Sequence, residues 1–175
     1  MGVPSTFIRV SGCNLRCAWC DTPYASWQPE GPVMSIDEIV SQVHHDHVVI
    51  TGGEPMLFDA IEQLCEQLKD KHITIETAGT VFREGLPVDL MSISPKLSNS
   101  IPLGGTAPVP SIKDQPEWES RHKTLIEDRT ATAKLLNAYT CQLKFVVASQ
   151  EDLAETDALV RSLPEIEKSN ILLMP

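Results

Sequence analysis

The sequence predicts an α/β fold in which helices cover a parallel β-sheet. Short apolar runs, typical of buried strands, alternate along the chain with longer segments that carry apolar residues at helical spacing. Because parallel strands are joined by crossover helices, this alternation indicates βα units with right-handed connections. The chain has 175 residues, of which 42% are hydrophobic, so it can form one sizeable core. We therefore expect a single domain over residues 1–175.

Six segments are predicted to be strands because they are short, apolar and rich in β-branched residues. Gly52 and Gly53 end the second of them, Gly79 follows the third, and Pro95 ends the fourth. The predicted strands are residues 6–10, 47–51, 73–76, 90–94, 142–147 and 171–174.

Four segments are predicted to be helices. The first opens with a capping box, in which Ser35 caps the helix and Glu38 lies three residues later. Apolar residues at helical spacing predict the second helix, whereas the third is largely polar. Between the second and third, residues 98–116 are rich in Pro, Gly and Ser and are predicted to form a long loop. The predicted helices are residues 35–44, 56–68, 117–138 and 151–162.

Charge and hydropathy exclude several classes of function. Asp and Glu total 24 against 14 Lys and Arg, and the net charge of −10 argues against broad binding to nucleic acid or to an anionic membrane surface. No apolar run approaches the length of a membrane span, and the N-terminus lacks the pattern of a secretory signal. We therefore expect a cytoplasmic protein without a nucleic-acid or membrane partner.

Three of the five cysteines, Cys13, Cys17 and Cys20, lie close together after the first predicted strand. In a reducing compartment this crowding indicates a metal or catalytic site rather than disulfides. Three thiolates can hold three irons of a [4Fe–4S] cluster and leave the fourth iron open to a small molecule. The alternative is a zinc knuckle, but a structural zinc needs four ligands and no nearby Cys or His supplies the fourth. The spacing therefore favours the cluster. Cys65 and Cys141 are expected to be packed in the core.

A second motif, residues 51–55, follows the second predicted strand. Parallel α/β folds bind ligands at this end of their strands. Gly52 and Gly53 would let the backbone approach a ligand, and Glu54 would accept a hydrogen bond from an ammonium group. The alternative is an ordinary strand-to-helix turn, in which Glu54 is favoured by the helix dipole. Alone, the motif is weak evidence for a ligand site, but in combination with the cysteine triad it is strong evidence.

Together the two motifs resemble the radical S-adenosylmethionine (SAM) superfamily, whose members carry C-x-x-x-C-x-x-C after the first strand and G-G-E after the second. Four further segments narrow the resemblance to the 7-carboxy-7-deazaguanine synthase family. These segments are residues 4–13, 20–25, 76–79 and 94–96.

The resemblance implies a lyase that converts 6-carboxy-5,6,7,8-tetrahydropterin to 7-carboxy-7-deazaguanine with loss of ammonia, on the path to queuosine. Its implied cofactors are a [4Fe–4S] cluster, SAM and Mg²⁺. An external protein such as flavodoxin or ferredoxin would reduce the cluster, and the enzyme would be a homodimer.

The resemblance also assigns roles to individual residues. Cys13, Cys17 and Cys20 would bind the cluster, and Thr22 would bind Mg²⁺. Arg9 would bind the substrate carboxylate, a task that suits its forked donors, and Thr51 would touch the substrate. The residues implied in SAM binding are Trp19, Asp21, Gly53, Glu54, Ser94, Pro95, Lys96, Gln142, Leu143, Lys144 and Phe145.

The implied fold is a partial (β/α)6-type barrel with the cofactors at the carboxyl ends of its strands. The family usually carries a Gln-Gly-Glu-Gly segment before the first strand and an extension after the last strand. Neither is in this sequence, so we expect the barrel to be incomplete at both ends.

Two rival functions stay open: an activating enzyme of the same superfamily that makes a glycyl radical on a protein partner, and a non-catalytic metal-binding module.

Overall fold

A six-stranded parallel sheet forms the centre of the computed structural model, which describes residues 2–102 and 117–175. The strands lie side by side in chain order, and each pairs in parallel with the next. They are β1 (Ser5–Val10), β2 (His47–Gly52), β3 (His72–Thr77), β4 (Leu90–Ile93), β5 (Cys141–Val146) and β6 (Ile171–Met174). The structure thus confirms the six predicted strands, with ends that differ by a residue.

The described residues contain six α-helices. They are α1 (Pro23–Ser26), α2 (Ile36–Ser41), α3 (Ala60–Gln67), α4 (Glu117–Glu127), α5 (Thr130–Ala138) and α6 (Gln150–Ser162). Short 3₁₀ turns lie at Pro55–Leu57, Ser98–Ser100 and Lys168–Asn170. None of these helices is long and apolar enough to cross a membrane.

Two predicted helices differ from the observed ones. The segment 56–68 begins in a 3₁₀ turn, is interrupted at Phe58, whose backbone is extended, and becomes α-helical at Ala60. The segment 117–138 is two helices, and the prediction of a single helix was wrong. Asp128 separates them by accepting a hydrogen bond from the Thr130 amide (2.9 Å), a local bond that competes with the helix.

Other predictions have mixed outcomes. The capping box at Ser35 and Glu38 is present, with the hydroxyl and the carboxylate each bonded to the other residue's amide. Helix α1, which begins with Pro23 in its first turn, was not predicted. Of the predicted loop 98–116, the Ser98–Ser100 turn is described, and residues 103–116 lie outside the described part.

The main core lies between the sheet and the helices. Buried side chains alternate along the strands, as in β5, where Leu143 and Phe145 are fully buried and Gln142 and Lys144 are not. Cys65 and Cys141 are also buried in this core, as the sequence predicted.

A second, small core lies under the cysteine loop. Leu15, Cys17 and Ile126 are buried there, so α4 packs against the loop that follows β1. Among the described residues, β1 and β6 each pair with a strand on one side only. The sheet is therefore open, which is the partial barrel that the sequence predicted.

Candidate active site

A cavity of about 770 Å³ opens at the carboxyl ends of the strands. Because parallel strands bring their carboxyl ends to one edge, residues far apart in sequence meet there. Twelve residues with a predicted role line this cavity. They are Arg9, Cys13, Cys17, Trp19, Cys20, Asp21, Thr22, Thr51, Gly53, Ser94, Lys96 and Lys144.

The three predicted cluster cysteines all face this cavity. The Leu15 amide donates to Cys13 Sγ (3.4 Å), and Cys20 Sγ lies 3.5 Å from Ser26 Oγ. Burial raises the pKa of Cys13 to about 11 and that of Cys17 to about 12, so both are thiols unless a metal replaces their protons.

The cysteine loop suits a cluster in its chemistry. Within residues 2–102 and 117–175, no group of three or more His, Cys, Asp or Glu side chains converges on a single ion. A [4Fe–4S] cluster does not require such convergence, since each thiolate binds a different iron. An amide that donates to sulfur and a shielded, largely apolar setting are the features that stabilise bound clusters and set their potential.

The Gly52-Gly53 turn brings the end of β2 against the cysteine loop. Gly52 has φ of +131°, and a Cβ on it would lie 2.0 Å from the Val10 carbonyl oxygen. A Cβ on Gly53 would lie 2.0 Å from the Gly12 carbonyl oxygen. The sequence pointed to close approach of a ligand, and the structure shows close approach of the chain itself. The glycines therefore seat the cysteine loop on the sheet.

Glu54 is fully buried and does not line the cavity. Burial raises the pKa of its carboxyl group, while hydrogen bonds from the Met56 amide, the Thr77 hydroxyl and the Ala78 amide oppose that rise. These bonds are 2.8–3.0 Å long. In this structure Glu54 fastens the turn after β2 to the end of β3. Its predicted role toward a ligand ammonium group stays a prediction.

A polar network crosses the cavity floor from β2 to β5. Thr51 Oγ1 donates to Glu76 (2.9 Å), and Lys144 Nζ donates to the other oxygen of the same carboxylate (2.5 Å). Burial would raise the pKa of Glu76, but Lys144 and Thr51 outweigh it and lower the pKa. Arg9 pairs in register with Thr51, and its guanidinium lies 5.9 Å from the centre of the Tyr24 ring. Arg9, Thr51, Glu76 and Lys144 thus form one charged floor.

The segment after β4 supplies the opposite wall. Lys96 Nζ donates to Ser94 Oγ (2.8 Å) and lies 5.5 Å from the centre of the Trp19 ring. Pro95 is buried and does not line the cavity. Gln142 does not line the cavity, but its side-chain amide donates to Ser92 Oγ (2.9 Å), and Ser92 does line it.

Strand β5 contributes unequally to the site. Lys144 faces the cavity, whereas the side chains of Leu143 and Phe145 lie in the main core. The alternation of side chains along a strand causes this division, and neither Leu143 nor Phe145 lines the cavity.

Two residues important to the site were missed by the sequence analysis. Asn99 lines the cavity, accepts from Trp19 Nε1 through its carbonyl (3.1 Å) and donates to the Val146 carbonyl (3.1 Å). His122 is buried against the cysteine loop, and burial lowers its pKa to about 4. Both act through contacts distant in sequence. Only the Ser94-Pro95-Lys96 segment next to Asn99 gave a local hint.

Comparisons with known proteins agree on one family. Residues 7–97 match the family model described as the radical SAM superfamily. The chain is 41% identical to the 7-carboxy-7-deazaguanine synthase of Halobacterium salinarum, over 99% of this chain and 70% of that protein. It is 44% identical to the protein of the same name from Rhodopirellula baltica, over 99% of this chain and 66% of that protein. The chain thus spans about two thirds of the length of these relatives.

A solved structure shares the fold. The crystal structure of QueE from Escherichia coli superimposes with a TM-score of 0.65 and 24% sequence identity, covering 100% of this chain and 75% of that one.

Proposed function

The chain belongs to the 7-carboxy-7-deazaguanine synthase family of the radical SAM superfamily, and from this we propose that it converts 6-carboxy-5,6,7,8-tetrahydropterin to 7-carboxy-7-deazaguanine with loss of ammonia. The observation that carries the proposal is the common cavity. It holds three cysteines with the superfamily spacing together with the charged floor of Arg9, Thr51, Glu76 and Lys144.

The cysteines Cys13, Cys17 and Cys20 would hold the [4Fe–4S] cluster. When bound, the cluster and SAM supply radical chemistry that no protein side chain offers. The chain's own residues shield and orient the bound groups. The small core around Leu15 and Ile126 keeps water from the back of the loop, and the Gly52-Gly53 turn fixes the loop's position over the sheet.

The cavity wall between the cluster and the floor would take SAM. Trp19 and Asp21 would flank its adenosine, while Gly53, Ser94 and Lys96 line the side proposed for its methionine part.

Trp19→Ala should weaken SAM binding, measured by equilibrium dialysis on the reconstituted protein, because the ring supplies apolar contact area. Unchanged binding would remove Trp19 from the proposed site.

We propose that Arg9 and Thr51 bind the pterin, with the guanidinium on its carboxylate. The two residues are register neighbours on β1 and β2, so a planar substrate can meet both at once. Thr51 is fixed by its bond to Glu76, which presents a rigid surface to the substrate.

The Mg²⁺ site is proposed at Thr22. Thr22 lines the cavity, its hydroxyl does not cap α1, and the weak contact of that hydroxyl with Cys20 Sγ (3.9 Å) would give way to a metal. Mg²⁺ prefers oxygen ligands and retains several waters, and the pterin carboxylate would complete the set of ligands.

If Thr22 binds Mg²⁺, added Mg²⁺ raises turnover, and Thr22→Val removes the dependence on Mg²⁺ while keeping the shape of the side chain. Full activation of Thr22→Val by Mg²⁺ would show that the metal binds elsewhere.

The proposal extends to partners. An external reductant such as flavodoxin or ferredoxin would supply the electron, and the chain would act in the cytoplasm as a homodimer without a nucleic-acid partner. The half-exposed Leu173 of β6 is an apolar side chain that self-association would cover, and the net charge of −10 disfavours nucleic acid.

Single cysteine replacements test the proposed chemistry. After anaerobic reconstitution, Cys13→Ala, Cys17→Ala and Cys20→Ala should each abolish SAM cleavage, because three ligands are the minimum for the cluster. Cys65→Ala and Cys141→Ala are matched controls, since both thiols are packed in the main core and should cost stability only. SAM cleavage and product formation from the carboxypterin are measured on each variant. Retained cleavage in any variant of the triad would refute the assignment of the cluster.

A further inference from the structure

Helix α4 closes over the cysteine loop along one face. Trp118, His122 and Ile126 follow one another at intervals of four residues, so they share that face. The guanidinium of Arg16 lies 3.9 Å from the centre of the Trp118 ring. His122 accepts from the Arg16 amide (3.1 Å), and Ile126 packs beside Cys17. The helix therefore meets the loop through a stacked ring, a hydrogen bond and an apolar contact.

The hydrogen bonds of His122 determine which of its two ring nitrogens carries the proton. The Arg16 amide can only donate, so Nδ1 carries no proton and the proton of the neutral ring is on Nε2. Nε2 lies 2.9 Å from Ser100 Oγ, and that hydroxyl donates onward to the Leu97 carbonyl (2.6 Å). The chain of bonds runs from the cysteine loop through the histidine into the Ser98–Ser100 turn. Every donor in it has a partner.

The loop is tied on both sides of Cys17. The Arg16 amide is held by His122, and the Ala18 amide donates to the Ser100 carbonyl (2.9 Å). Cys17 itself is buried. A cluster ligand between two fixed peptide groups has little freedom, and ligands placed beforehand bind with a smaller loss of entropy.

We propose that His122 is a positioning residue, which sets the place of the Cys17 thiolate by holding the Arg16 peptide to the Ser98–Ser100 turn. What Cys17 binds rests on the proposed function, whereas the contact between His122 and the loop does not. His122 touches neither substrate nor cofactor in this role and acts through the backbone of the loop.

Three substitutions separate the two bonds of His122. Asn places its amide oxygen near the position of Nδ1 and can keep the bond to the Arg16 amide. Gln places its amide near the position of Nε2 and can keep the bond to Ser100. Leu fills much of the space and keeps neither. If the bond to Arg16 positions the loop, His122→Asn behaves like the wild type, and His122→Gln behaves like His122→Leu.

The first measurement uses the metal-free full chain. Hydrogen exchange at the Arg16 amide, resolved from the other amides of residues 13–20 by overlapping peptides, reports on this bond. Loss of the bond should speed that exchange about tenfold in His122→Leu and His122→Gln, and less than about threefold in His122→Asn. Tyr139→Phe is the matched control. Tyr139 bonds the Arg83 carbonyl and the Leu86 amide far from the loop, so its loss lowers stability without changing exchange in residues 13–20.

The second measurement uses the reconstituted protein. His122→Leu and His122→Gln should lose iron on gel filtration or bleach in air at least about threefold faster than the wild type, and His122→Asn should restore retention. Rescue by Asn but not by Gln is the signature of positioning, because a purely packing role would not separate the two amides. Should His122→Leu fail to fold, His122→Gln serves as the variant that lacks the acceptor.

The outcomes separate this inference from the proposed function. Wild-type exchange at Arg16 in His122→Gln, or exchange in His122→Asn as fast as in His122→Gln, overturns the positioning role whatever the enzyme does. If instead the exchange pattern is as expected and the reconstituted wild type does not cleave SAM, the proposed function fails and the contact of His122 with the loop stands.

Discussion

Polar side chains at the cavity floor are held by partners from neighbouring strands. Thr51, Glu76 and Lys144 come from three strands and form one continuous network. Arg9 differs, since it is exposed and its guanidinium lies 5.9 Å from the centre of the Tyr24 ring. A cation beside a fixed network suits recognition of an incoming carboxylate, because the network needs no rearrangement when the ligand arrives.

Arg9→Lys should separate substrate binding from cofactor cleavage. Lys keeps the charge but loses the fork that bonds a carboxylate at two points. We expect carboxypterin binding to weaken about ten- to a hundredfold, as for the loss of one charge-assisted hydrogen bond. Slow cleavage of SAM without substrate should stay nearly intact. The measurements are 5′-deoxyadenosine release and product formation against pterin concentration, on one reconstituted batch.

Arg83→Lys is the matched control, because Arg83 pairs with Asp59 and Glu62 outside the cavity. It should leave both assays unchanged. If Arg9→Lys lowers both activities equally, Arg9 supports the cysteine loop. If it lowers neither, Arg9 is not a substrate ligand and the pterin carboxylate binds elsewhere in the cavity.

The buried His122 should make stability depend on pH. Burial, with a contribution from the charge of Lys96, lowers its pKa from 6.5 to about 4. Between these values the unfolded chain binds more protons than the folded one, so stability falls as the pH falls from 6.5 to 4. The loss is up to about 3 kcal/mol. Urea unfolding of the metal-free protein should show this slope, and His122→Asn should lack it. Equal slopes in the two proteins would contradict the prediction.

At the scale of elements, the sequence predicted what depends on local patterns. The six strands were found from short apolar runs, and the capping box at Ser35 was read directly from residue types and spacing. The break at Asp128 was missed because it depends on one side-chain bond inside a segment of good helical composition. The ties from His122 to Arg16 and from Asn99 to Trp19 join residues distant in sequence, and no local pattern signals them.

The candidate site likewise has parts that the sequence predicted and parts that it did not. The spacing of Cys13, Cys17 and Cys20 led to one cavity because these residues share a single loop. The strand segment 142–145 was assigned to SAM as a block, but the alternation of its side chains sends Leu143 and Phe145 into the core. Which face of a buried strand meets a ligand depends on the register of the sheet, and that was fixed only by the folded chain.

The junction of β1 and β2 should tolerate no side chain at Gly52. Its φ of +131° strains any other residue, and a Cβ would lie 2.0 Å from the Val10 carbonyl oxygen. Gly52→Ala should therefore lower the free energy of unfolding by at least about 3 kcal/mol, measured by urea on the metal-free protein. Gly85→Ala is the control, since Gly85 has φ of +75° but open space around it. It should cost about 1 kcal/mol, the price of the left-handed conformation alone. Equal costs would show that the junction relaxes.

For the whole molecule, the open sheet leaves apolar side chains of its last strand partly exposed, with Met174 toward the active-site cavity and Leu173 toward a second pocket beside α6. Leu172, Leu173 and Met174 of β6 are 38%, 54% and 46% exposed. Within the described part of the chain no strand pairs with the outer side of β6. Such edges are usually covered or charged in stable proteins, and the proposed homodimer would cover this one.

Leu173→Lys should shift the protein from dimer to monomer, because a charge in an apolar interface loses its hydration. Sedimentation velocity at several concentrations measures the change, and we expect the dissociation constant to rise at least about tenfold. Val33→Lys is the control, since Val33 is fully exposed in a loop. A wild type that sediments as a monomer would refute the dimer, and a dimeric Leu173→Lys would place the interface elsewhere.

The tie between Arg16 and His122 also has a consequence for biosynthesis. The two residues are 106 positions apart, so the cysteine loop leaves the ribosome well before the helix that closes over it. At about 5–20 residues per second, the loop waits about 5–20 s for that helix to be made. During this interval Cys17 lacks the cover that Ile126 gives it in the folded chain. The order of the chain thus leaves the cysteine loop uncovered until α4 has been synthesised.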